Sequence, residues 1–298
     1  MLRELFEWLL SRGTGPGRRL GLDREAVSIA ARHRRQSEAW EPHLAATRQC
    51  LLDAAAACPQ GGTALVLGSG ACLDVPLSAL AARFDTVVLA DAHHPRPARR
   101  LARAFPNVRL MPVDLTGLAG PAGQVARHGG TLPRPLPIPD LSLGLRPDLT
   151  VSVNLASQLP IPLLRLLGSR LDETAQTDFG RAVIEAHFAA LACLPGRVCL
   201  VCDTAWERLE DGRVTAATDA LYGAPRPAAD RTWFWDVAPR PEESFSFDRR
   251  NRVAAWLDYQ AAFSGKTTAA TGCLRRPGPA ARLADLLPPD PAHEKKGP

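Results

Sequence analysis

The sequence predicts an α/β fold in which helices cover a mainly parallel sheet that ends in an antiparallel pair. Three observations predict it. Short apolar runs alternate with helical patterns across residues 63–202, the signature of successive βαβ units. The runs stop at Gly68, Asp91, Asp114, Asn154 and Asp203, which puts polar or turn-forming residues at the carboxyl ends of strands. Two late runs, 232–238 and 252–259, are rich in aromatic and aliphatic residues and flank a polar stretch, so they are placed to pair antiparallel.

Residues 1–60 read as a helical extension. Leu2, Leu5, Phe6, Leu9 and Leu10 follow helical spacing, and glycines over 13–17 break that helix. A second helix is expected over about 23–33 with Asp23 as its cap. A third is expected over about 40–57, with Leu44, Ala45, Leu51, Leu52 and Ala55 on its apolar positions. From Thr63 the period changes. Strands are expected at 63–67, 86–90, 108–113, 149–153 and 197–202, with helices at 76–83, 94–105 and 178–194. Pro95 and Pro97 delay the second of these helices. Pro112 marks a strand end or irregular site. Residues 115–146 form a Gly/Pro-rich insertion, with polyproline character over 132–140. The expected domains are therefore a helical extension (1–60), a core (61–262) and a partly disordered tail (263–298).

The chain has 298 residues, 46% of them hydrophobic and 22% charged, values of an ordinary globular protein. Its 36 basic and 31 acidic side chains leave a net charge of +5, too mild for a dedicated nucleic-acid binder. The densest basic group, Arg32, His33, Arg34 and Arg35, reads as a solvated helix face. Seven cysteines, an odd number in a long chain, argue against a disulfide framework. Cys199 and Cys202 have redox spacing but lie in an apolar strand, so they read as core. No secretory signal or membrane-length apolar run is present, and the cytoplasm is the expected location. His93, His94 and His187 lack metal-ligand spacing, so no metal is expected.

The strongest chemical signal is Gly68-Ser69-Gly70-Ala71-Cys72-Leu73-Asp74, between a strand and a helix. Glycine there permits a tight turn and close approach of the backbone to a ligand. Asp91 lies 23 residues beyond Gly68 and directly follows the second strand, where a carboxylate accepts from ribose hydroxyls. Asp114 follows the third strand and can accept from an adenine amine. With these residues the chain resembles the class I S-adenosylmethionine-dependent methyltransferases over about residues 60–260.

The resemblance implies a Rossmann-like sandwich whose mainly parallel seven-stranded sheet ends in an antiparallel hairpin. It implies S-adenosyl-L-methionine as cofactor, held by Gly68, Ser69, Gly70, Asp91 and Asp114. Asn154, after the fourth strand, would face the methionine moiety and the substrate. Two positions depart from the family. Val66 replaces the acid usual two residues before the first glycine, and Cys72 replaces the third glycine; Asp74 is available for part of the polar role.

The expected activity is methyl transfer to a small-molecule acceptor. Asn154 and Gln158 are candidates to orient it. Asp203 and Glu207 are candidates to act as base or to bind a cationic group, against a reading as solvated loop acids. Trp206 is a candidate wall, and Trp40 and His43 of the helical extension are candidates to reach the acceptor. A nicotinamide-dependent oxidoreductase is the second reading; its G-x-G-x-x-G pattern would require glycine at Leu73. A non-catalytic binding protein that keeps the fold is the third.

Overall fold

The computed structural model describes Gly17 and residues 20–264. The helix expected over residues 2–10, the glycines before Gly17 and nearly all of the expected tail lie outside the described residues. Within residues 20–264 the first helices are α1 (Leu22–Arg35) and α2 (Ser37–Ala56). The cap of α1 is Gly21, with φ +69°, and Asp23 is buried in the first turn. Then follow β1 (Thr63–Leu67), α3 (Leu77–Arg83), β2 (Thr86–Asp91), α4 (Arg96–Ala102), β3 (Val108–Pro112), α5 (Ala119–His128) and β4 (Leu149–Val153). The chain continues through α6 (Pro160–Leu167), α7 (Glu173–Ala192), β5 (Arg197–Glu210), β6 (Arg213–Asp219), β7 (Arg231–Ala238), β8 (Asp248–Trp256) and α8 (Tyr259–Ser264).

The sheet runs β3-β2-β1-β4-β5-β8-β7, with β6 paired to β5 off this path. The pairs from β3 to β5 are parallel, and β8 and β7 are antiparallel. Among the described residues the sheet has eight strands rather than the expected seven. The extra one arises because β5 does not stop at Cys202. It continues to Glu210, turns at Asp211 (φ +48°) and Gly212 (φ +77°), and folds back as β6. Asp-Gly with two positive φ angles is the two-residue hairpin turn. The structure also begins α7 at a genuine cap, Asp172, whose Oδ1 accepts from Ala175 N at 2.8 Å. Within the Gly/Pro-rich stretch it forms α5.

Strands β1, β2, β4 and the first half of β5 are buried throughout except at their ends, as strands covered on both faces must be. One face carries Val66, Val87, Val151, Val201 and Val253 against Leu51 of α2 and Leu80 of α3. The other carries Leu65, Val88 and Leu200 against Ile184, Phe188 and Leu191 of α7. Cys50, Cys58, Cys72, Cys199 and Cys202 are buried free thiols. In the basic group on α1, Arg34 and Arg35 are exposed, as expected of a solvated face, while Arg32 and His33 are half-buried. Arg32 pairs with Glu243 at 2.8 Å, and the Arg35 Nε donates to Glu242 at 3.0 Å, tying α1 to the segment between β7 and β8.

One tight turn makes a direct test of this packing. Gly196 enters β5 at φ +71°, and a Cβ there would stand 2.6 Å from the Asp148 carbonyl oxygen and against that of Pro147. Gly196→Ala combines left-handed strain with a clash against rigid backbone, and is expected to cost about 2–4 kcal/mol. An unfolding free energy from urea denaturation within about 1 kcal/mol of the wild type, an order-of-magnitude bound, would contradict that packing.

Candidate active site

The carboxyl ends of β1, β2 and β4 meet at the loop after β1. Gly68 turns at φ +78°, and a Cβ there would stand 2.8 Å from the Leu155 side chain. Gly70, at φ +47°, has open space at its Cβ position. Cys72 also adopts a positive φ, +58°. The backbone thus does at Cys72 what a third glycine would do, against the usual cost for a residue with a side chain. Burial and the nearby Asp74 and Asp91 carboxylates push the Cys72 thiol up to about 12, so it stays protonated near neutral pH.

Asp91 ends β2 and reaches across to this loop. Its Oδ2 accepts from Gly70 N at 2.8 Å and its Oδ1 from His93 N at 3.2 Å. A carboxylate offers about four acceptor positions, so about two remain. Asp114 is tied into its own loop. Its Oδ1 accepts from the Thr116 amide at 2.9 Å and hydroxyl at 2.6 Å, and its Oδ2 accepts from Ala119 N at 2.8 Å, the first residue of α5. About one acceptor position is left.

Asn154 follows β4 with φ +48°. Its Nδ2 donates to Asp74 Oδ2 at 2.7 Å and lies 3.3 Å from His43 Nε2. His43 comes from α2, and its Nδ1 accepts from Trp233 Nε1 on β7 at 3.1 Å. Its ring stacks on Trp235 with centroids 4.1 Å apart. Burial pushes the His43 imidazole down to about 3, so the ring is neutral at physiological pH. Burial pushes the Asp74 carboxyl up, opposed by the Asn154 bond. The Ser69 hydroxyl and Asn154 Oδ1 are buried without hydrogen-bond partners. Orphaned buried polar atoms of this kind call for a partner. Together with the open Gly70 position, they fit a polar nucleoside ligand at this edge.

Asp203 and Glu207 are not solvated loop acids; both lie inside β5. The Glu207 side chain is fully buried and paired with Arg250 (2.8 Å) and Arg252, which occupies it structurally and removes it as a base. The Asp203 side chain is also fully buried. Its Oδ2 accepts only long bonds, 3.4 Å from Ser157 Oγ and 3.4 Å from Gln158 Nε2. Its Oδ1 has no partner within hydrogen-bond geometry, although Trp206 and Asn251 face it. Burial pushes its pKa up to about 6, opposed by these neighbours and by Arg249.

Sequence reasoning missed the His43–Trp233 and Asn154–Asp74 bonds, which join four separate elements. His187, read as structural, is buried with Nε2 3.0 Å from Ser152 Oγ. Among the described residues no group of three His, Cys, Asp or Glu side chains is arranged to hold a metal. No helix there is long and apolar enough to cross a membrane.

No family model matches the chain, and no curated protein matches it. Among solved structures it is similar to DhpI in complex with SAH, at 16% identity over 76% of this chain and 95% of that one, TM-score 0.31. It is similar to the N-methyltransferase NodS from Bradyrhizobium japonicum WM9 in complex with S-adenosyl-L-homocysteine, at 9% identity over 70% and 84%, TM-score 0.32. It is also similar to the glycopeptide N-methyltransferase MtfA complexed with S-adenosyl-L-methionine, at 13% identity over 73% and 80%, TM-score 0.35. Its own strand order, with a glycine loop after β1 and an antiparallel β7–β8 pair at the sheet's end, gives the chain a Rossmann-like α/β fold.

Proposed function

We propose that the protein is an S-adenosylmethionine-dependent methyltransferase acting on a small-molecule acceptor. The observation that carries this reading is the bond from Gly70 N to Asp91 Oδ2. It joins the open glycine turn to a carboxylate that keeps acceptor capacity for a ribose diol. Asp114 would take the adenine amine with its remaining acceptor position, and Ser69 and Asn154 would meet the polar methionine end. When bound, S-adenosylmethionine supplies a methyl group on a sulfonium sulfur, open to attack by a lone pair. The protein's part is alignment. α1 and α2 form the cover of the site, the core spans 61–262, and Asn154 and Asp203 face the acceptor. The mild net charge supports a small acceptor over a nucleic acid. The cytoplasm is the location in which this reading places the reaction.

Calorimetry with S-adenosylmethionine and with NAD tests the reading. S-adenosylmethionine is expected to bind, and Asp91→Ala to weaken it by about 1–3 kcal/mol, the loss of hydrogen-bond acceptance at a buried site. Unchanged affinity would remove Asp91 from the site. Tighter binding of NAD would favour the oxidoreductase instead, and binding of neither ligand would favour a non-catalytic protein that keeps this fold.

A further inference from the structure

Two buried carboxylates lie four residues apart on β5, and they are treated differently. Glu207 receives two guanidinium groups. Asp203 receives none. Among the described residues the charged group that acts on it is Arg249, and Arg249 bonds Glu243 at 3.3 Å. From α2, His43 lies against Trp233 and Trp235 and is neutral. A buried carboxylate without a countercharge is costly, and proteins retain such groups chiefly where a ligand completes them.

The neighbours of Asp203 describe that ligand. Residues directly opposite across a sheet share a face. Asp203 pairs with Val253, which pairs with Trp233; Trp206 pairs with Asn251, which pairs with Trp235. Asn251 Oδ1 is a second buried acceptor without a donor. The site therefore offers a negative charge and an unfilled amide oxygen beside indole rings. The Trp206 and Trp235 indole N–H groups are also buried without partners there, and the charge buried at the centre of the cluster is the Asp203 carboxylate. Indole faces attract cations as well.

We propose that the methyl acceptor is an amine bound as its ammonium ion, with one N–H on Asp203, a second on Asn251 Oδ1 and its apolar part against the indole rings. This rests on the methyltransferase reading and adds the substrate class. Asp203 also acts on the bound ion: as a carboxylate it takes one proton from the ammonium nitrogen, which frees the nitrogen lone pair.

The test uses 2-phenylethylamine and 2-phenylethanol, which match in shape and differ in the cationic head. Each is titrated calorimetrically into the full chain at pH 8, with and without S-adenosylhomocysteine. The amine is expected to bind at least about tenfold more tightly, the value of one hydrogen bond to a charged group. Asp203→Asn is expected to abolish that preference while leaving the affinity for S-adenosylhomocysteine unchanged. Equal binding of the two probes, no binding of the amine, or a preference that survives in Asp203→Asn would overturn the proposal. If the amine preference holds while S-adenosylhomocysteine fails to bind, the amine site stands and the methyltransferase reading falls.

Discussion

Trp40→Ala is expected to cost about 3–5 kcal/mol, the range for truncating a buried aromatic, and to loosen the first half of α2. Trp40 is 3% exposed. Its indole N–H donates to the Val237 carbonyl at 3.1 Å, and its ring meets Trp235 edge-on with centroids 4.9 Å apart. Leu44 and Val237 complete this small cluster. His43, one turn on, adds its bond to Trp233 and its stack on Trp235. Pro42 removes one donor from the helical ladder, and Gln36, at the cap position before Ser37, makes no side-chain capping bond. Losing the indole removes the edge-on support of Trp235, the ring on which His43 stacks. Urea denaturation gives the global loss, and amide exchange over residues 38–48 gives the local one. Trp40→Phe should recover most of the packing but not the hydrogen bond, a deficit of about 1 kcal/mol. A total loss below that for Trp40→Ala would mean α2 is held from elsewhere.

Asp203→Asn is expected to stabilise the protein at pH 8 by about 1–3 kcal/mol, the worth of a carboxyl shift of about two units, and to have no such effect at pH 4. The sign follows from linkage. The folded carboxyl titrates at about 6 and its ordinary value is 3.8, so between those values the folded state holds more protons than the unfolded one. Stability falls as pH rises through that window, and the full deficit stands above 6. The amide must still be satisfied by Ser157 and Gln158, which holds the gain below its upper bound. Melting temperatures of both proteins across pH 4–8 read this directly. A variant less stable at pH 8 would show that the Asp203 charge is compensated in the native protein. A gain at pH 8 has functional meaning, since stability sacrificed at a binding residue is a common cost of ligand recognition.

The central strands were legible because β1, β2 and β4 are buried on both faces and read as unbroken apolar runs. β6 was not. All seven of its residues are exposed, so no periodicity betrays it; the Asp211-Gly212 turn was the available signal. The second half of β5 was hidden for a related reason. Past Cys202 the apolar run gives way to Asp203, Trp206 and Glu207, which resemble a loop until their partners on β8 are known. α6 opens with Pro160 and Pro162, which suggest a turn when met alone but suit the first turn of a helix. Within the site, the placing of Asp91 at the end of β2 was legible from spacing. The commitment of Asp114 to Thr116 and Ala119 was not foreseen, although an Asp two residues before a Thr is a familiar turn former.

The chain alone determined the alternation of strand and helix, the turn at Gly68 and Gly70, and the acids at strand ends. Each of these depends on periodicity or on neighbours a few residues away. Tertiary structure decided the electrostatics. His43 meets Asn154 across 111 positions of sequence, Arg250 and Arg252 reach Glu207 across 43 and 45, and Asp203 receives no such partner. Whether a buried charge is compensated depends on which distant side chains the fold brings within a few ångströms, in a medium that screens far less than water.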